Sequence, residues 1–176
     1  MTAGLWLIIA LLAQDPGIQI PMQGLTGNLQ WRVRTAPNLK TGGMMVAADV
    51  QSRDSIPTRN GPEAPSLMVR CSAGTVNLIV ASNAMGKVVE VGGKRGVPFL
   101  VQYDAGATRT VLAGESQQHD AFLLPNAAAE VGKMEKAKTV RLSFERFQGG
   151  KVTFAFNISG FDEARADLRK GCPTLP

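Results

Sequence analysis

The sequence predicts a mainly β protein: an antiparallel, β-sandwich-like domain with two short helices, the second of which ends at a cysteine. Three observations carry this. Short runs of alternating apolar and polar residues recur through the middle of the chain, separated by Gly, Pro and Asn. Only two stretches have helical composition, 127–137 and 159–170. The two cysteines, Cys71 and Cys172, stand 101 positions apart, the first on an alternating run and the second just past the last helix.

At the start, Leu5 to Ala13 contains nothing polar, and Gln14, Asp15 and Pro16 end the run. About nine residues is far short of the roughly 20 needed to cross a bilayer. It suits the apolar stretch of a signal peptide, with Ala13 as the small residue at the cleavage point. The sequence therefore divides into a signal peptide (1–13), a flexible segment (14–28) and one domain (29–176). The competing reading is a buried strand or short helix at the N-terminus of a cytosolic chain. Export leads to a periplasmic or secreted location and an oxidising space, in which Cys71 and Cys172 pair. The cytosolic reading leaves two buried thiols.

Within the domain, Trp31 and Val33 alternate with Arg32 and Arg34, and Met44 to Val50 returns as the neighbouring strand. Residues 52–65 carry three prolines and Gly61, and read as a loop. Leu67, Val69 and Cys71 share one strand face, and after the turn at Ser72-Ala73-Gly74 so do Val76, Leu78 and Val80. Residues 88–91 and 97–103 flank Gly92-Gly93-Lys94-Arg95-Gly96, a hairpin with a basic tip. The clearest hairpin sets Val140, Leu142 and Phe144 against Val152, Phe154, Phe156 and Ile158 across Gln148-Gly149-Gly150. Asn126 is positioned to cap a helix over 127–137. Ser159 is positioned to cap the last one, whose first turn carries Asp162 and Glu163, whose last turn carries Arg169 and Lys170, and which Gly171 ends.

Composition limits the chemistry. One histidine and two cysteines cannot build a His-rich or Cys-rich metal site, and no cofactor motif is present. The lone imidazole lies in Ser116-Gln117-Gln118-His119-Asp120, which places a serine, a histidine and an aspartate within five positions. Triad geometry normally draws these groups from separate elements, and no strand–elbow–helix motif surrounds Ser116. The segment reads as a solvated loop, with a small serine hydrolase using Ser116, His119 and Asp120 as the alternative. Nineteen Lys and Arg against 14 Asp and Glu give a net charge of +5, which favours an acidic protein or an anionic cell-envelope partner. Lys94, Arg95, Lys133, Lys136 and Arg141 are the candidate contact residues. The aromatics fall on or beside core faces rather than among the basic residues, which argues against specific nucleic-acid binding. A basic surface domain of phage origin is the remaining alternative.

Several segments, taken in order, resemble the TagO-like family of type VI secretion system-associated proteins. They are Trp31-Arg32-Val33, Leu67-Met68-Val69-Arg70-Cys71 with the strand after it, and Phe122-Leu123-Leu124-Pro125 with its short helix. Val140-Arg141-Leu142 and Phe156-Asn157-Ile158-Ser159-Gly160-Phe161 follow, then a helix and Cys172. The similarity spans most of the chain after residue 29. It implies an exported, disulfide-clasped accessory domain with no known catalytic centre, from a family found with type VI secretion clusters and also outside them.

Overall fold

A computed structural model describes residues 31–37 and 44–175; the expected signal peptide (1–13) and the segment 14–28 lie outside the described residues. The chain runs through β1 (Arg32–Pro37), β2 (Met44–Gln51), β3 (Ile56–Thr58), β4 (Gly61–Glu63), β5 (Ser66–Ser72) and β6 (Thr75–Ala81). It continues through β7 (Val89–Val91), β8 (Lys94–Tyr103), β9 (Arg109–Glu115) and β10 (Ala121–Leu124). Helix α1 (Ala127–Met134), β11 (Thr139–Glu145), β12 (Lys151–Asn157) and helix α2 (Phe161–Gly171) complete it.

The main sheet is antiparallel throughout, in the order β1-β2-β5-β6-β10-β9-β8-β11-β12, with β7 paired to β8. Its two halves meet where β9 and β10 pair through only Phe122 opposite Glu115 and Leu123 opposite Gly114. About that narrow joint the sheet folds over itself into two layers. Phe122 of one half lies 5.0 Å from Phe99 and 5.0 Å from Phe144 of the other, ring centroid to centroid. Val46, Leu67, Val69, Leu78 and Val80 face Val101, Leu142, Phe154 and Phe156 in one continuous core.

The far side is closed by polar and aromatic contacts. Ser52 donates its hydroxyl to the carbonyl of Ala155 at 2.9 Å, and Asp54 accepts the Ala155 N–H at 2.7 Å. Trp31 is buried, its indole N–H directed at the Ile158 carbonyl and its ring 4.9 Å from Phe161. Helix α2 lies against β1 and β2 and carries Phe161, Ala164 and Leu168 inward. Cys172, at its end, is bonded to Cys71 on β5, with Cα atoms 5.9 Å apart. The C-terminal helix is thus clasped as the mainly β, two-helix reading expects.

Several local expectations are corrected. The 52–65 loop contains the small hairpin β3–β4, in which Pro57 and Pro62 face each other on a two-stranded ribbon that belongs to no larger sheet. Prolines are tolerated there because no further strand requires their missing N–H. The hairpin before β8 turns on Gly92 and Gly93 alone, both left-handed (φ 57° and 72°). This two-residue turn places Lys94 and Arg95 in the strand, opposite Val91 and Glu90. Helix α1 stops at Met134, and Asn126 occupies its N-cap in a left-handed conformation without a side-chain cap bond. Helix α2 begins one residue later than its hydroxyl suggests: Gly160, with φ 78°, is the N-cap, while the Ser159 N–H donates to Asn157 Oδ1. Gly171 is the last helical residue and Cys172 the cap.

Candidate functional site

The charged candidates separate into two groups. Lys94 and Arg95 open β8, and Tyr103 closes it; at the ordinary rise per residue the two ends are about 30 Å apart. Tyr103 donates its hydroxyl to Glu130 of α1 at 2.9 Å. Lys133 therefore belongs to the Tyr103 end, where it pairs with Glu130 at 3.1 Å. Arg141 lies there too, opposite Gln102 and exposed on the outer face of β11, and Lys136 follows α1, also exposed. The five residues do not form one continuous patch.

Glu130 is the buried centre of the α1 end. Its side chain is 5% exposed, and its carboxylate receives Tyr103, Arg109 and Lys133. The Arg109 guanidinium also stacks over the Tyr103 ring at 6.0 Å. Burial, with the adjoining Glu130 carboxylate, pushes the Tyr103 phenol far above its ordinary value. Both Glu130 oxygens are engaged by these side chains, so the cluster fastens α1 to β8 and β9.

Ser116, His119 and Asp120 share a tight turn, but their bonds do not form a relay. Ser116 donates its hydroxyl to Asp120 Oδ1 at 2.6 Å and accepts the N–H groups of Asp120 and Ala121 at 3.1 and 3.2 Å. His119, with φ 56° and half its side chain exposed, directs Nδ1 at Glu115 Oε2, 2.9 Å away. The serine thus serves the turn, and the imidazole is paired with a carboxylate of the preceding strand. A general base must reach the proton that it removes, and the Ser116 hydroxyl proton is directed at Asp120, not at the His119 ring. Among the described residues no group of three His, Cys, Asp or Glu side chains is disposed to hold a metal ion.

A concave feature among the described residues lies at the Lys94 end. A groove of about 260 Å³ is walled by the β3–β4 turn (Pro57, Thr58, Arg59), the segment after β6 (Asn83, Ala84, Met85) and the β11–β12 turn (Arg146, Phe147, Gln148). Its walls are bonded to one another. Arg146 donates Nη1 to the Pro57 carbonyl at 3.1 Å and Nη2 to the Gly149 carbonyl. The Phe147 N–H donates to Met85 at 2.9 Å, and Lys87 N–H to Glu145 at 2.8 Å. Glu63 accepts Ser82 Oγ, Asn83 N and Asn83 Nδ2 at 2.6, 2.6 and 2.7 Å.

Phe147 stands out beside this groove. It is 64% exposed, whereas Phe99, Phe122, Phe144, Phe154, Phe156 and Phe161 are all fully buried. No sequence expectation selects Arg59, Met85 or Phe147. The available signal is parity: Val140, Leu142 and Phe144 point inward, and Phe147 breaks that alternation immediately before the glycine turn.

No family model matches the chain, and neither does any curated protein. A solved structure, the crystal structure of invasion associated protein B from Bartonella henselae, is similar with a TM-score of 0.52 and 13% sequence identity, covering 80% of this chain and 92% of that one. The likeness is one of fold, in keeping with the mainly β architecture described above.

Proposed function

We propose that the chain is a non-enzymatic accessory or binding protein of the cell envelope, exported to the periplasm or secreted, and that it acts by docking a protein or an anionic envelope polymer. The observation that carries this reading is the Cys71–Cys172 bridge. It joins a central strand to the terminal helix, with both cysteines buried, and such bridges form and persist in oxidising compartments. The apolar run at 5–13 supports export, and the net charge of +5 supports an acidic partner. No helix among the described residues is long and apolar enough to cross a membrane. The resemblance to TagO-like proteins points the same way, with association with type VI secretion as its finer form. The similar structure is that of an invasion associated protein, which accords with a role outside the cytoplasm.

Cell fractionation combined with thiol alkylation tests the reading. The protein is expected in the periplasmic or secreted fraction, shifting on a gel with a maleimide reagent only after reduction. Recovery in the cytosol with both thiols alkylated at once would sink it. Crosslinking in intact cells is expected to capture a discrete envelope partner, and loss of that complex at high salt would mark it as electrostatic.

A further inference from the structure

Resting on that reading, the geometry points to the groove beside Phe147 as the docking site, and to an acidic segment of a protein partner presenting an apolar side chain as its occupant. Four observations converge. First, its lining brings Met85, Phe147, Arg59 and Arg146 together, and Phe, Met and Arg are residue types enriched in the cores of protein interfaces. Second, no aspartate or glutamate lines it. Arg59 forms no hydrogen bond or ion pair among the described residues, and Arg146 spends its Nη donors on carbonyls, with its Nε buried and unbonded. Neither charge is neutralised by a carboxylate of the described residues, so Arg59 is available to grip an incoming carboxylate and Arg146, held in the wall, adds to the positive field of the groove. Third, the space of about 260 Å³ is smaller than the roughly 300–1,000 Å³ of pockets that enclose whole small molecules; it suits one or two side chains. Fourth, the walls are cross-bonded before any partner arrives, which lowers the ordering cost of association.

Lys94 and Arg95 extend the positive field at this end. Arg146 forms a bridge with Gly86 beyond the last paired residues of β11, and Lys94 and Arg95 begin β8 on that same side. Their place in a strand, with exposed side chains, suits steering of an acidic partner more than direct grip.

The test uses the oxidised full chain. A short fluorescent peptide with one Phe among Asp and Glu is titrated by anisotropy, beside a matched Lys-based peptide and a matched peptide with Ala for Phe. The acidic Phe peptide is expected to bind at least about tenfold more tightly than either control. Phe147→Ala and Arg59→Glu, both at exposed positions, should each weaken it about tenfold with circular dichroism unchanged. Equal binding of the three peptides, no binding, or indifference to both substitutions overturns the site. So does binding to anionic phospholipid vesicles, without peptide binding, that depends on the same two residues. In intact cells, a crosslinked complex that survives both substitutions places the partner elsewhere on the surface. That result overturns this inference and leaves the accessory role standing, whereas cytosolic recovery with free thiols removes the reading beneath it.

Discussion

The carboxylate of Asp54 accepts the main-chain N–H of Ala155 at 2.7 Å, two residues after Ser52 donates its hydroxyl to the carbonyl of the same residue. Ala155 lies in β12, which ends the sheet, so its outward backbone groups would otherwise be a template for another strand. Two side chains from the segment after β2 take the place of that strand. They satisfy the edge and hold the two layers together in one contact.

Removing this contact should both loosen and expose the edge. Asp54→Ala is expected to cost about 1 kcal/mol in urea unfolding, the ordinary worth of such a bond. Ser52→Ala/Asp54→Ala should also raise amide exchange at Ala155 and promote concentration-dependent self-association. A double variant that stays monomeric, with Ala155 protected as before, would show that packing alone holds this edge.

The disulfide predicts a larger effect. A closed loop of 101 residues is worth about 4–5 kcal/mol in the chain-entropy account. Reduction, or Cys71→Ala/Cys172→Ala, should lower the urea midpoint accordingly and free α2 from β2 first, because the bridge anchors the end of that helix. Hydrogen exchange should show α2 amides losing protection before those of β8 and β11. Unchanged midpoints with and without reductant would contradict the assignment of the bridge as a principal clasp.

How much of this was legible beforehand depends on the kind of signal. Cys71 could be placed on the core face of its strand because Leu67, Val69 and Cys71 alternate cleanly. The β11–β12 hairpin was equally plain. Strands β9 and β10 were not foreseen. Phe122 and Leu124 point inward over only four residues, and in β9 Ala113 alone is fully buried, so neither run is long or apolar enough to declare a period. The groove was hidden for a different reason. Its residues come from three turns that meet only after the sheet folds over, and turn residues obey no periodicity.

The single tyrosine provides a clean alkaline test. Burial and the Glu130 carboxylate raise the Tyr103 pKa far above its ordinary 10.0, favouring the neutral phenol in the folded state. Its contribution is therefore complete below pH 10.0 and is lost as pH rises beyond that, where the unfolded phenol ionises and the folded one does not. Tyrosinate absorbance should appear only together with loss of secondary structure. Glu130→Gln should bring the titration toward the ordinary range. Reversible ionisation near the ordinary value in the intact fold would refute the burial of this phenol.

Asp104 provides the acid counterpart. Its Oδ1 accepts the N–H groups of Thr139 and Lys138 at 2.8 and 3.0 Å. The Thr139 N–H is the main cause that holds its carboxyl below the usual 3.8. The stabilisation is present above pH 3.8 and fades as pH falls through the lower folded value. Asp104→Asn keeps a residue tolerant of the left-handed φ of 47° while removing the charge. Its urea midpoint should lie below that of the parent at about pH 7 and converge on it as pH falls from 3.8 through the lower folded value. Parallel curves over that range would mean that Asp104 contributes through geometry and not through its charge.

Two glycines on paired strands separate packing from propensity. A Cβ at Gly96 of β8 would lie 2.5 Å from the backbone oxygen of Ala113, on the strand it pairs with, whereas one at Gly114 of β9 would meet nothing within 4 Å. The obstacle at Gly96 is main chain, which cannot turn aside as a flexible side chain does. Gly96→Ala must therefore push β8 and β9 apart close to the groove end of the sheet, at a cost of about 2–4 kcal/mol. Gly114→Ala adds a side chain in open space and removes backbone freedom from the unfolded chain, so it should be neutral or stabilising by about 0.5 kcal/mol. Thermal unfolding of the two variants reads the contrast directly. If both behave alike, the close approach of Gly96 to Ala113 is not a constraint on the native sheet.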